Sequence, residues 1–122
     1  MKIFISQPFH GRNEKEILKE RNAIIKAFEN AYDCNVEVID NYHKSEEDIA
    51  KGYIWLLGGS IQMMHDADMV IFTEDFDTAY ECVVEERVAS LYGLKKRYFH
   101  KGDFLIHKPI KPDDSWVCMR GL

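Results

Sequence analysis

The chain has little of what marks the specialised classes of small protein. It holds three cysteines, three prolines and seven glycines in 122 residues. Cys34, Cys82 and Cys118 are odd in number and widely scattered, with no CxxC pair and no Cys/His spacing suited to zinc. Neither a disulfide scaffold nor a zinc module is therefore expected. Proline and glycine this sparse exclude collagen-like and low-complexity chains. Sixteen basic residues stand against 21 acidic ones, a net charge of -5, which argues against a nucleic-acid polymer as the main partner. No apolar run approaches the roughly 18 residues needed to span a bilayer, so no membrane partner is expected. Walker A and GxGxxG patterns are both missing, which removes support for a P-loop or a Rossmann site. No leader pattern is visible at Met1, where a strand-like run begins at once, and the expectation is a reduced, cytoplasmic protein.

What is present is enough for one core. Apolar residues make up 46% and charged residues 30% of the chain, the balance of a single soluble domain over residues 1–122. Lys2 to Ser6 is rich in strand formers, and a loop with Pro8 and Gly11 follows. Asn13 with Glu16 three residues on is a capping-box pattern. Ile17, Leu18, Ile24, Ile25, Phe28 and Tyr32 then recur at helical spacing, which predicts an amphipathic helix over 14–32. Val36, Val38 and Ile39 predict a second strand ending at Asp40, followed by a polar loop with Asn41, Tyr42 and His43.

Ser45 followed by three acids opens a second predicted helix. Its apolar stripe runs through Ile49, Tyr53, Leu56, Leu57, Ile61 and Met64, with Tyr53 and Trp55 expected in the core. Gly58-Gly59 marks a kink or a close approach. Asp68 to Phe72 is apolar enough for a strand buried on both faces. Thr78 with Glu81 predicts a capping box on a third helix, whose Val84, Val88 and Leu91 should face inward. Arg97–Phe99 and Phe104–His107 are short strand candidates, and the tail after Pro112 is loop-like. Strands alternating with helices predict an α/β three-layer sandwich around a mainly parallel sheet of four to five strands. Such folds bind ligands beyond the carboxyl ends of their strands.

Three segments therefore compete for the site: 7–12, 40–45 and 73–85. The first joins backbone N–H groups at a helix start to Gly11 and Arg12, a cradle suited to a phosphate or a sugar hydroxyl, or merely a turn. In the third helix Glu85 has Glu81 four residues before it, and Ala89 and Gly93 four and eight residues after it, so no base compensates it at those spacings. A carboxylate near a helix start should stay ionised, as a nucleophile must. Asp75 and Asp77 are candidates for a second carboxyl, or a loop acid and a helix cap. His65, Asp66 and Asp68 are metal-capable types on a strand approach that cannot easily wrap one ion, so no metal and no cofactor is expected. Lys95-Lys96-Arg97 at a helix end suits the dipole better than a ligand.

Several of these segments together resemble the nucleoside 2-deoxyribosyltransferase superfamily, in its small bacterial and phage branch. The residues concerned are Lys2–Pro8 with Gly11, Trp55–Ile61, Asp66-Ala67-Asp68, and Glu85 with Ala89 and Gly93, so the likeness covers about residues 2–95. The resemblance implies a flavodoxin-like fold and chemistry at the anomeric carbon of a nucleoside or its 5′-monophosphate, by transfer or hydrolysis. It makes Glu85 the nucleophile and Asp75 or Asp77 the group that orients or protonates the base. Ser6, Gln7, His10, Gly11, Arg12 and Thr78 fall in the segments that hold the sugar or phosphate. It also implies a homo-oligomer, dimeric or larger. The chemistry requires Glu85 to face a hollow large enough for a pentose. A non-catalytic module that senses or sequesters a nucleotide is the alternative, and a structural oligomer with a vestigial pocket is a third option.

Overall fold

A computed structural model describes residues 1–42 and 45–100. His43, Cys118, the candidate strand Phe104–His107 and the tail after Pro112 lie outside the described residues. The order is β1 (Lys2–Ser6), α1 (Glu14–Tyr32), β2 (Glu37–Val38), α2 (Glu46–Ala50), α3 (Tyr53–Met64), β3 (Met69–Thr73), a single 3-10 turn (Phe76–Thr78), α4 (Tyr80–Leu91) and β4 (Lys96–Phe99).

The four strands form one sheet in the order β2-β1-β3-β4, every pair parallel. This is the flavodoxin-type order as far as its fourth strand. Alternation along β1 explains the layers. Ile3 and Ile5 face α1, where Ile24 and Phe28 meet them together with Met69, Ile71 and Phe99. Phe4 faces the other way, onto Met64 of α3 and Ala89 of α4, beside Val70 and Phe72. The protein is thus an α/β sandwich of three layers. β3 is buried at all five positions, as expected for a central parallel strand. Each fully buried phenylalanine or isoleucine contributes about 1.5–3 kcal/mol.

The first helix has the expected bounds. Asn13 Oδ1 accepts from the Glu16 backbone N–H at 2.8 Å, and Glu16 Oε1 accepts from the Asn13 amide at 2.9 Å. The second predicted helix is instead two. The chain breaks at Gly52, whose φ of +98° only glycine takes without strain, so α2 ends there and α3 starts afresh. α3 runs unbroken through Gly58-Gly59, and no described residue approaches either closely, since a Cβ there would meet nothing within 4 Å. The expected stripe is also broken: Ile49, Tyr53 and Trp55 are 52%, 76% and 50% exposed. Short α2 and the first turn of α3 lack the sheet contact that would bury them.

The third predicted helix starts one residue late. Thr78 is not its cap: its hydroxyl donates to the Asp75 carbonyl, and α4 begins after Ala79 without a side-chain cap. Its inward residues are Cys82, Glu85 and Ala89, whereas Val84 and Leu91 turn outward. At the other end Gly93, with φ +70°, lets the Leu94 N–H reach the Ala89 carbonyl, a Schellman stop. Lys96 and Arg97 are buried strand residues rather than a helix-end patch. Lys96 Nζ lies 3.6 Å from Glu86 of α4, which also accepts from the Tyr98 hydroxyl. Asp68 serves the start of β1, accepting from the Lys2 backbone N–H at 2.7 Å. Among the described residues no group of three or more metal-capable side chains gathers, and no helix is long and apolar enough to cross a membrane.

Candidate functional site

The strand order reverses between β1 and β3, and such a switch point opens a crevice at the carboxyl ends of the two strands. Ser6 ends β1 opposite Phe72, and Thr73 ends β3 one residue beyond. Because Ser6 shares its face with Phe4, its side chain points to the α4 layer. There its hydroxyl donates to Glu85 Oε1 at 2.7 Å, a contact between two buried groups 79 residues apart. Glu85 is 4% exposed. Cys82, one turn earlier on α4, is buried beside it.

The charge balance here is unusual. Burial pushes the Glu85 carboxyl up to about 7 from the ordinary 4.5; the Ser6 hydrogen bond opposes this, the charge of Glu81 adds to it, and Ser60 of α3 pulls weakly back. Helix position alone favoured a fully ionised acid, but desolvation outweighs it, and both protonation states coexist near neutral pH. Burial likewise drives the Cys82 thiol up to about 12, which leaves it protonated and unreactive.

The remaining candidates divide. Asp75 is half-buried and accepts from the Thr73 hydroxyl at 2.9 Å, which ties it to the end of β3. Its charge is felt by both Arg12 and Cys82, so it belongs to the same strand-end cluster as Glu85. Asp77 and Thr78 are exposed in the 3-10 turn, and the hydroxyl of Thr78 is spent on the Asp75 carbonyl. His10 and Gly11 are exposed in the first loop, where Gly11 takes φ +76°. Arg12 is anchored rather than open: Glu20 of α1 holds its Nη1 at 2.9 Å, and the Pro8 carbonyl accepts from it at 3.1 Å. Burial lowers its basicity, but the hydrogen bond and charge of Glu20, with Asp75 and Glu16, raise it overall.

Gln7 points the other way. One residue beyond Ser6, it faces α1, where its Oε1 accepts from Arg21 at 2.8 Å and its Nε2 donates to Glu20 at 2.7 Å. Arg21 also donates to Asn41 Oδ1 at 2.8 Å, and Asn41 Nδ2 donates to the Ile5 carbonyl at 3.0 Å. This network ties α1 to the ends of β1 and β2, so Gln7 is a structural residue rather than a lining one. The sequence does signal Arg21, which occupies the middle of the stripe Ile17–Ile24–Phe28. Ser60, at the end of a polar-looking Gly-Gly-Ser run, gives no such signal.

Two hollows lie on the surface along the outer faces of α1 (Lys15, Leu18, Lys19, Lys26) and α4 (Val83, Arg87, Leu91). Neither is lined by Glu85, so neither is the pentose-sized hollow expected beside it. Comparison with known proteins adds no name: no family model and no curated protein matches the chain.

Proposed function

We propose that the protein processes the N-glycosidic bond of a (2′-deoxy)nucleoside or nucleoside 5′-monophosphate, with Glu85 as nucleophile. The observation that carries this reading is a carboxyl buried at the switch point, held by a serine hydroxyl, with another acid, Glu81, as its charged neighbour and a pKa of about 7. The resemblance to deoxyribosyltransferases, whose nucleophile falls at this position, supplies the substrate class. In the ionised form, Glu85 attacks C1′. The C1′–N bond breaks, its electron pair stays with the base, and the leaving nitrogen takes a proton from Asp75, the acid tied to the same strand ends. Water, or the N–H of a second base, then attacks C1′ of the ester, gives its proton back to Asp75 and releases Glu85 as the carboxylate. Ser6 holds one carboxylate oxygen so that the other attacks. Exposed His10 and Gly11 and the anchored Arg12 flank the sugar or phosphate end.

The enclosure of Glu85 favours a second reading, in which the fold only binds a nucleotide and senses or sequesters it. A panel of nucleosides and monophosphates, incubated with and without an acceptor base, separates the two. Free base without acceptor means hydrolysis, and a new nucleoside only with acceptor means exchange. Binding of equal strength in wild type and Glu85→Ala, with no base released, means the second reading is right.

A further inference from the structure

We propose that Glu86 is a positioning residue: held by Ser90, Lys96 and Tyr98, it fixes the roll of α4 about its own axis and so aims the neighbouring Glu85 at Ser6. The proposal rests on the reading of Glu85 as the nucleophile. α4 has little else to set its roll. No side chain caps its start, and the residues it buries, Cys82, Glu85 and Ala89, are two small ones and an acid. Its contact with the apolar cluster around Phe4 is made by Val88 and Ala89. Its bulkiest apolar residues, Tyr80 and Leu91, are 91% and 71% exposed. Apolar contact is non-directional, and small inward side chains leave rotation weakly determined. Hydrogen bonds to a carboxylate are directional and supply what packing lacks.

The other half of the lock stands on β4. Lys96 and Tyr98 alternate along that strand, so both point to the α4 layer. Glu86 lies one residue past Glu85, a rotation of about 100°, and Ser90 sits one turn further along the same flank. Glu86 Oε2 accepts from the Ser90 hydroxyl at 2.7 Å and from the Tyr98 hydroxyl at 3.1 Å, and Lys96 Nζ stands 3.6 Å away. Lys96 also donates to the Ser90 hydroxyl, and its side chain is 1% exposed. A cation this deeply buried stays with its carboxylate, because parting would leave it unpaired in the interior. One oxygen is thus fixed from three sides. The Tyr98 ring extends the hold to the second acid. It packs on Phe72 and on Phe76, with centroids 5.7 and 5.6 Å away, and Phe76 follows Asp75. Tyr98 therefore joins the helix that carries Glu85 to the turn that carries Asp75.

Tyr98→Phe removes the hydroxyl and keeps the ring, and Lys96→Met removes the cation. A double-mutant cycle of each with Ser6→Ala, read by urea unfolding of the full chain at pH 8, tests the placement without any assay of activity. Ser6, Phe72 and Tyr98 stand in one row across the sheet, so Ser6 and Tyr98 are two strands apart. At that separation, about 10 Å, unlinked substitutions add. A lock that aims Glu85 makes them non-additive, by at least about fivefold in the unfolding equilibrium. A lock that merely fastens β4 to α4 gives additive effects. In the nucleoside panel, Tyr98→Phe should lower kcat about 10- to 100-fold and leave KM within about twofold. Gly52→Ala, destabilised elsewhere, should keep kcat. If Lys96→Met misfolds, Tyr98→Phe decides alone. A wild type that releases no base ends the reading of Glu85 as nucleophile, and the cycle still decides the placement. Additive effects in the cycle, or wild-type kcat in folded Tyr98→Phe, would overturn the proposal.

Discussion

Residues 6 and 7 lead into two buried polar clusters on opposite faces of one sheet, and the clusters are built on different rules. On the α1 side, Arg21 is buried, but Gln7, Asn41 and the Ile39 carbonyl accept from it, and the charges of Glu20 and Asp40 answer its own. On the α4 side, Glu85 is equally buried with a serine hydroxyl as its donor and another acid, Glu81, as its charged neighbour. A buried charge with complementary partners is a way to fasten elements together. A buried acid without a cation costs stability and persists where its reactivity is used. The contrast separates scaffold from candidate site within a few ångströms of chain.

The largest expected effect sharpens that contrast on the α4 side. Glu85→Gln should cut base release by three orders of magnitude or more, about 4 kcal/mol of barrier, while the fold becomes no less stable at pH 8. A coupled assay with denaturant melts of both proteins checks the pair of outcomes. On the α1 side the signs reverse: Arg21→Met should leave Gln7, Asn41 and the Ile39 carbonyl short of a donor and cost about 3–5 kcal/mol in urea unfolding.

The pH dependence follows from Glu85 itself. Its folded pKa, about 7, lies above its ordinary value of 4.5, so between these values the folded state binds the extra proton. Stability should therefore fall as pH rises from about 4.5 through 7, by on the order of 3 kcal/mol, and level off above. Glu85→Gln should flatten that slope, whereas base release in wild type should rise around pH 7, where the folded carboxyl ionises. Ser6→Ala removes the hydrogen bond that favours ionisation and should move the rise in activity to higher pH, read from the kcat/KM profile. The smallest effect is Gly52→Ala, about 1 kcal/mol of stability lost at a positive φ, with no change in the activity profile.

Much of the fold is legible in the sequence because periodicity is unambiguous where an element faces one neighbour. α1 has one apolar stripe and a cap, and β1 and β3 are short apolar runs, so all three stand within about a residue of expectation. Legibility fails where hydrophobicity has two uses. α4 buries Glu85 between Cys82 and Ala89, with Val88 against the core as expected, while Val84 and Leu91 look like core residues and turn outward. The break at Gly52 turns on one backbone angle, to which composition is blind. Glu85 stands out in the sequence as an acid lacking compensation, but its contact with Ser6 spans 79 residues and exists only once the sheet is assembled. Gln7 sits beside Ser6 in the chain and looks like a lining residue, yet strand alternation sends the two to opposite faces.

The most direct test of covalent catalysis by Glu85 is mass spectrometry of the protein quenched in acid during incubation with the panel of nucleosides and monophosphates. A nucleophilic Glu85 predicts a pentosyl ester on the peptide that contains it, lost in Glu85→Gln together with base release. Base release of equal rate in both proteins, with Glu85 unmodified throughout, would contradict it.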